Sequence, residues 1–252
     1  MDVLTVKNLS VSFYRPSCEI EAVKNASFSL QPGEILVIMG DTGCGKSVLC
    51  KSIVRLLPDI ARIKSGQILF QGKDITHYSE REMQKLRGNA FSMVFQNPMT
   101  ALNPCMSVGA QIAEAVRLRK PQIARKEFQD EVAGLMELVG LDCPEKQAKQ
   151  YPHQFSGGMA QRCVTAIALA ADPDVLFADE PTTALDGEMQ EQILELFLKL
   201  REKLGMAVIF ITHNPHVAAR IADRAALMRA GEIYRIGDAE EILEKHIYDN
   251  YQ

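Results

Sequence analysis

An unbroken apolar run, Ile35-Leu36-Val37-Ile38-Met39, leads straight into Gly40-Asp41-Thr42-Gly43-Cys44-Gly45-Lys46-Ser47. A helical apolar pattern (Val48, Leu49, Ile53, Val54, Leu56, Leu57) follows and stops at Pro58. The run predicts a strand buried on both faces of a parallel sheet, and the pattern predicts a helix over Ser47–Leu57. Strand, glycine-rich loop and helix in that order make a P-loop. Its glycines let backbone N–H groups face phosphate oxygens at a helix N-terminus whose dipole favours anions. On that reading Gly40 to Val48 cradle the phosphates, Lys46 reaches the β- and γ-phosphates, and the Ser47 hydroxyl ligates Mg²⁺.

A second apolar run, Val175-Leu176-Phe177-Ala178, ends in Asp179-Glu180. Carboxylates at the C-terminal end of a parallel strand lie at the edge where open α/β sheets bind ligands. Beside a P-loop, Asp179 is expected to hold Mg²⁺ through water and Glu180 to orient or deprotonate an attacking water. Without a P-loop the same pair reads as a solvated turn. Phe155-Ser156-Gly157-Gly158-Met159 precedes a helix of small residues, Ala160–Ala171. This turn reads equally as a second anion nest and as an ordinary N-cap by Ser156.

The 252 residues suffice for one large α/β domain or two small ones, and 47% of them are hydrophobic, enough for a sizeable core. A net charge of −4 gives no electrostatic footprint for nucleic acid. Six scattered cysteines without a Cys-x-x-Cys pair argue against a zinc site or disulfide framework. No signal peptide is expected at Met1–Lys7, and no apolar stretch approaches the ~18 residues of a membrane helix. Any membrane role must therefore go through a partner.

Two-residue alternation through Leu4 and Val6, then through Leu9, Val11 and Phe13, and again through Ala26, Phe28 and Leu30, predicts half-buried strands. Gln67–Phe70, Phe91–Phe95 and Ala207–Thr212 read as further strands. The prolines at Asn97-Pro98 and Asn103-Pro104 open a mostly helical stretch with patterns over Val108–Leu118 and Phe128–Val139. Helices are also expected over Met189–Lys203, over His216–Ala222 behind an Asn214 N-cap with Pro215, and around Glu240–His246.

A P-loop, a Ser-Gly-Gly turn, Asp-Glu and a later His, in this order over nearly the whole chain, resemble the ATPase subunit of an ATP-binding-cassette (ABC) transporter. The resemblance implies a single cassette over residues 1–252. Its core, residues 1–96 and 161–252, combines a parallel sheet with an antiparallel β part, and a helical insert spans about 97–160. It implies ATP and Mg²⁺ as ligands and head-to-tail pairing of two ATPases, so that Ser156, Gly157 and Gly158 act on the partner's ATP. Gln96 matches the glutamine that senses Mg²⁺ and the attacking water, and Asp186 matches the aspartate that crosses the dimer interface. His213 matches the histidine on the γ-phosphate, and Phe13, beside Tyr14, matches the aromatic that stacks on adenine.

Within the family, Gln96-Asn97-Pro98-Met99-Thr100-Ala101-Leu102-Asn103-Pro104 and Tyr151–Met159 are similar to importers of peptides and nickel. That branch implies a peripheral subunit on the cytoplasmic face of the cell membrane. Its implied partners are transmembrane permease subunits, a second ATPase subunit and, indirectly, a solute-binding protein, with no nucleic acid. Many peptide-importing members carry a longer cysteine-bearing tail, so the end soon after Ile236-Gly237-Asp238 shifts the expected cargo toward nickel or a metal chelate. Phe155, Met159, Gly187-Glu188 and Asn214-Pro215 depart from the usual pattern. A non-transport cassette, such as an iron–sulfur assembly factor, is the alternative.

Overall fold

The computed structural model describes residues 1–183 and 185–250. In chain order the elements are β1 (Leu4–Arg15), β2 (Cys18–Leu30), β3 (Ile35–Met39), α1 (Lys46–Ile53), β4 (Ala61–Phe70), β5 (Lys73–Asp74), α2 (Glu80–Leu86) and β6 (Phe91–Val94). Then come α3 (Pro98–Ala101), α4 (Val108–Arg119), α5 (Arg125–Leu138), α6 (Pro144–Gln147), α7 (Gly157–Leu169), β7 (Val175–Asp179) and α8 (Gly187–Leu204). The chain ends with β8 (Ala207–Thr212), α9 (Pro215–Ile221), β9 (Arg224–Arg229), β10 (Glu232–Asp238) and α10 (Ala239–Asn250). It divides into two compact units, Met1–Gln84 with Arg201–Gln252, and Lys85–Leu200.

In the first unit the alternating N-terminal segments form an antiparallel sheet in the order β2-β1-β4-β5. The other strands of this unit run in the order β10-β9-β3-β8, with β3 parallel to both β8 and β9. All five residues of β3 are buried, and removal of each large side chain from water stabilises by about 1.5–3 kcal/mol. Asp223 ties the unit together: its carboxylate accepts from the Ile35 N–H at 2.8 Å and pairs with Arg201 at 2.8 Å.

The strands β9 and β10 were not expected from the sequence. Ala225-Ala226-Leu227-Met228 are good helix formers, yet all four are buried, and the first three pair with β3. Burial and ladder hydrogen bonds outweigh a local preference of a few tenths of a kcal/mol per residue.

In the second unit β6 and β7 pair in parallel, and the Phe91 and Phe177 rings meet edge to face at 5.8 Å. Residues 97–160 carry α3 to α6 and the start of α7, with no strand. The small residues of α7 let it pack closely, and Cys163 within it is fully enclosed; burial pushes its thiol up to about 12. Among the described residues no helix is long and apolar enough to cross a membrane.

Candidate active site

The P-loop lies in the first unit and is made mostly of backbone. Gly45 is the N-cap of α1 at φ 112°, and no side chain caps that helix. This backbone region suits glycine, and a Cβ at Gly45 would lie 2.3 Å from the Ala22 carbonyl oxygen. A helix start without a side-chain cap retains the N–H array that an anion takes. The buried Lys46 donates from Nζ to the Gly40 and Asp41 carbonyls at 2.6 and 2.9 Å, so the loop folds around its own ammonium. Asp41, Thr42 and Gly43 are exposed, Cys44 is buried, and Ser47 and Val48 are half-buried.

A support that sequence reasoning missed comes from the β9–β10 turn. The Gly231 N–H donates to the Cys44 carbonyl at 2.9 Å, and the Gly231 carbonyl accepts from Lys24 N–H at 2.8 Å. His213, in the same unit, follows β8 and is exposed. Asn214 behind it caps α9, accepting from His216 N–H at 2.9 Å, so the departure Asn214-Pro215 is a well-formed helix start. Phe13 pairs with Ile20 on one side and Ala61 on the other and is half-buried, whereas Tyr14 is 45% exposed. Both rings are therefore partly accessible.

In the second unit Asp179 closes β7 and is buried, and Glu180 follows at φ 49°. A non-glycine residue in this region carries roughly 1–3 kcal/mol of strain, which tends to sit at functional sites. Two donors converge on Glu180 Oε2: Gln96 Nε2 at 3.2 Å and Thr183 Oγ1 at 2.9 Å. The structure thus brings together Gln96 and Glu180, residues distant in sequence. Thr183 was not singled out beforehand; its only signal was a hydroxyl three residues after the acid, within one turn.

Ser156 does cap α7, its Oγ accepting from Met159 N–H at 3.3 Å. Ser156 and Gly157 stay exposed, while Gly158 is buried. A Cβ at Gly158 would fall 1.8 Å from Met189 Cε. Met189 in turn donates its N–H to Asp186 Oδ1 at 2.9 Å. The Ser-Gly-Gly turn and the Asp186 turn are therefore joined through one methionine. Ala184, within the Pro181–Asp186 segment, lies outside the described residues.

The family described as ABC transporter matches residues 23–183. The chain belongs to the ABC transporter family. It is similar to the dipeptide transport ATP-binding protein DppD of Bacillus subtilis (strain 168), 49% identical over 241 residues, covering 95% of this chain and 72% of that protein. The oligopeptide transport ATP-binding protein OppD of the same strain is 48% identical over 241 residues, covering 95% and 67%. Among solved structures, the dimeric ATP-binding cassette MJ0796 bound to ADP and Pi in a post-hydrolysis state superposes with a TM-score of 0.83. That match is at 27% identity and covers 94% of this chain and 98% of that one. A second such structure, cbiO1 from Clostridium perfringens, part of the ABC transporter complex cbiONQ, has a TM-score of 0.84 at 28% identity, covering 99% and 94%. This ABC protein is accordingly an ATP-binding ATPase with the cassette's α/β fold.

Ser47 of the first unit and Gln96 and Asp179 of the second, the positions expected to hold Mg²⁺, each carry a side-chain oxygen, the ligand type a hard, small cation takes.

Proposed function

We propose that this ABC ATPase energises uptake of di- and oligopeptides as a peripheral subunit on the cytoplasmic face of the membrane. Its partners on this reading are transmembrane permease subunits, a second ATPase subunit and, beyond the membrane, a solute-binding protein. The observation that carries the cargo is the similarity of 95% of the chain to dipeptide and oligopeptide transport subunits. That similarity moves the expected cargo from nickel or a chelate to peptides, and it disfavours the iron–sulfur assembly alternative.

The residue roles follow from the local geometry and the family pattern. Lys46 exchanges its two loop carbonyls for the β- and γ-phosphates of ATP, and the N–H groups from Gly40 to Val48 take the remaining phosphate oxygens. Phe13 stacks on adenine. Glu180, oriented by Gln96 and Thr183, accepts a proton from water as the water oxygen attacks the γ-phosphorus and the bond to the ADP oxygen breaks. His213 donates to the γ-phosphate. Mg²⁺, held by Ser47, Gln96 and Asp179, would neutralise phosphate charge when bound. Ser156, Gly157 and Gly158 bind the partner subunit's nucleotide, and Asp186 reaches across the dimer. ATP then drives transport only through its different affinity for closed and open dimers.

The test is reconstitution of the transporter with a choice of cargo. Dipeptides and longer peptides should stimulate ATP hydrolysis and be taken up; preference for Ni²⁺ would overturn the peptide reading. In the same system Glu180→Gln should lower turnover ~10²-fold or more while ATP still binds. Undiminished phosphate release would remove Glu180 from the role assigned.

A further inference from the structure

Two residues join β9 to β10. Arg229 pairs with Glu232, which leaves Ala230 and Gly231 as the loop, and both take positive φ, 49° and 90°. This is the pattern of a type I′ turn, whose twist suits a two-residue hairpin. In such a loop the ladder closes between the flanking residues, so the loop's own peptide groups are left for other partners. Gly231 gives both of its groups to other parts of the same unit. Its carbonyl accepts from the Lys24 N–H on β2 at 2.8 Å, and its N–H donates to the Cys44 carbonyl of the P-loop at 2.9 Å.

The hairpin also meets the other end of the P-loop: a Cβ on Gly40 would lie 2.0 Å from the Met228 carbonyl oxygen of β9. The loop is thus held at Gly40 by contact and at Cys44 by a hydrogen bond. The second hold sets a direction. The Cys44 carbonyl and the Gly45 N–H belong to one planar trans peptide, so they point in opposite directions. Fixing the carbonyl on Gly231 therefore fixes the Gly45 N–H, the first of the N–H groups at the start of α1. Without that bond the peptide, with a glycine on its C-terminal side, is free to turn.

We propose that Gly231 is a positioning residue of this ATPase: through the Cys44 carbonyl it aims the Gly45 N–H at the phosphates of ATP. The inference rests on the phosphate reading of the P-loop and adds to it a residue from the far end of the chain. Its contribution is to binding. The Gly45 N–H meets phosphate in the ground state as well as in the transition state, so losing its aim raises KM and leaves kcat nearly alone.

The experiment replaces Gly231 by glycolate in the full chain, which puts an ester oxygen where the N–H was and adds no side chain. ATP affinity is measured on the purified chain and steady-state hydrolysis in the reconstituted transporter. A hydrogen bond to a charged group is strong enough that ATP affinity should fall ~10-fold and KM rise to match, with kcat within about twofold of the parent's. Ala230→Gly, which relaxes the turn and keeps the Gly231 N–H, should bind ATP like the parent. An ester variant with the parent's affinity would overturn the proposal, as would a lowered kcat at unchanged KM, the mark of a turn that only supports folding. If the ester variant does not fold, hydrogen exchange of the unsubstituted chain decides. The Gly231 amide should exchange ~10²-fold more slowly than an unbonded amide, and more slowly still with ATP; exchange at the unbonded rate would overturn the assignment. An unsubstituted chain that binds no ATP would sink the P-loop reading itself, so the two failures are read separately.

Discussion

Two helices of this ATPase begin with glycine-rich turns, α1 at Gly45 and α7 at Gly157, and their starts are built differently. The start of α1 has a left-handed glycine as N-cap and no side-chain cap, with a lysine folded back on loop carbonyls. The start of α7 has the Ser156 hydroxyl on the Met159 N–H and a methionine packed onto Gly158. A helix start without a side-chain cap gives up roughly 1 kcal/mol of local stability and keeps its N–H groups for a ligand. One with a cap is stable by itself and can still present a hydroxyl proton and one exposed glycine. On the proposed reading the first is a site for the chain's own nucleotide, and the second is a surface that needs something brought to it.

The largest effect expected from this contrast is at Lys46. Lys46→Ala removes the ammonium that sits on the Gly40 and Asp41 carbonyls, and if it serves phosphate as proposed, ATP hydrolysis should fall ~10³-fold. Phosphate release within tenfold of the parent would mean that the backbone of α1 suffices alone. Gly45→Ala attacks the same loop without touching charge. It combines a left-handed backbone with a Cβ 2.3 Å from a carbonyl oxygen, so the loop must deform and nucleotide binding should be lost with it.

The α1 start was legible in the sequence because it is made of backbone. Spacing alone says where glycines are needed, and the flanking apolar run says where the strand ends. The other end of α1 was less legible. The apolar pattern continues to Leu57, but the helix stops at Ile53. Arg55 takes φ 56° and the Leu56 N–H returns to the Lys51 carbonyl at 2.8 Å, closing the helix without a glycine to announce it. At α7 the Ser-Gly-Gly turn was visible but its meaning was open, since a cap and an anion nest use the same residues. Thr183 on Glu180 and Met189 on Gly158 were invisible: each depends on how a turn aims a side chain, which no periodicity records. Strand β9 failed differently, its Ala-Ala-Leu-Met core having helical preferences that the neighbouring β3 overrides.

Ser156 is where the contrast can be broken. If its hydroxyl serves only α7, Ser156→Ala should cost about 1 kcal/mol of stability, seen as a lower urea midpoint, with turnover per folded dimer unchanged. If it also faces a partner's phosphate, Ser156→Asp separates the roles. Aspartate is as good an N-cap as serine, so the urea midpoint should hold, while a carboxylate opposed to phosphate should reduce hydrolysis by ~10²-fold. Full activity in Ser156→Asp would leave α7 as an ordinary capped helix and remove the contrast in function.

The smallest effect lies at the far ends of the same two helices. Lys51 closes α1 with the charge its dipole favours, whereas α7 has no basic residue in its last turn and is followed by Asp172 and Asp174. Burial, and then the Asp172 charge, hold the Asp174 carboxyl above the usual carboxylate range. A carboxyl raised in the folded state binds its proton more tightly there than in the unfolded chain. Its contribution to stability is therefore complete below the ordinary carboxylate pKa and is lost as pH rises through the raised value. Asp174→Asn removes that loss, so at neutral pH its melting temperature should slightly exceed the parent's. From about pH 4 to about pH 7 its melting temperature should accordingly gain on the parent's, whatever the shape contributed by the other carboxyls. Melting curves that run parallel over this interval would show that the partly exposed Asp174 is relieved by solvent, and that the two helix ends differ in sequence without differing in energy.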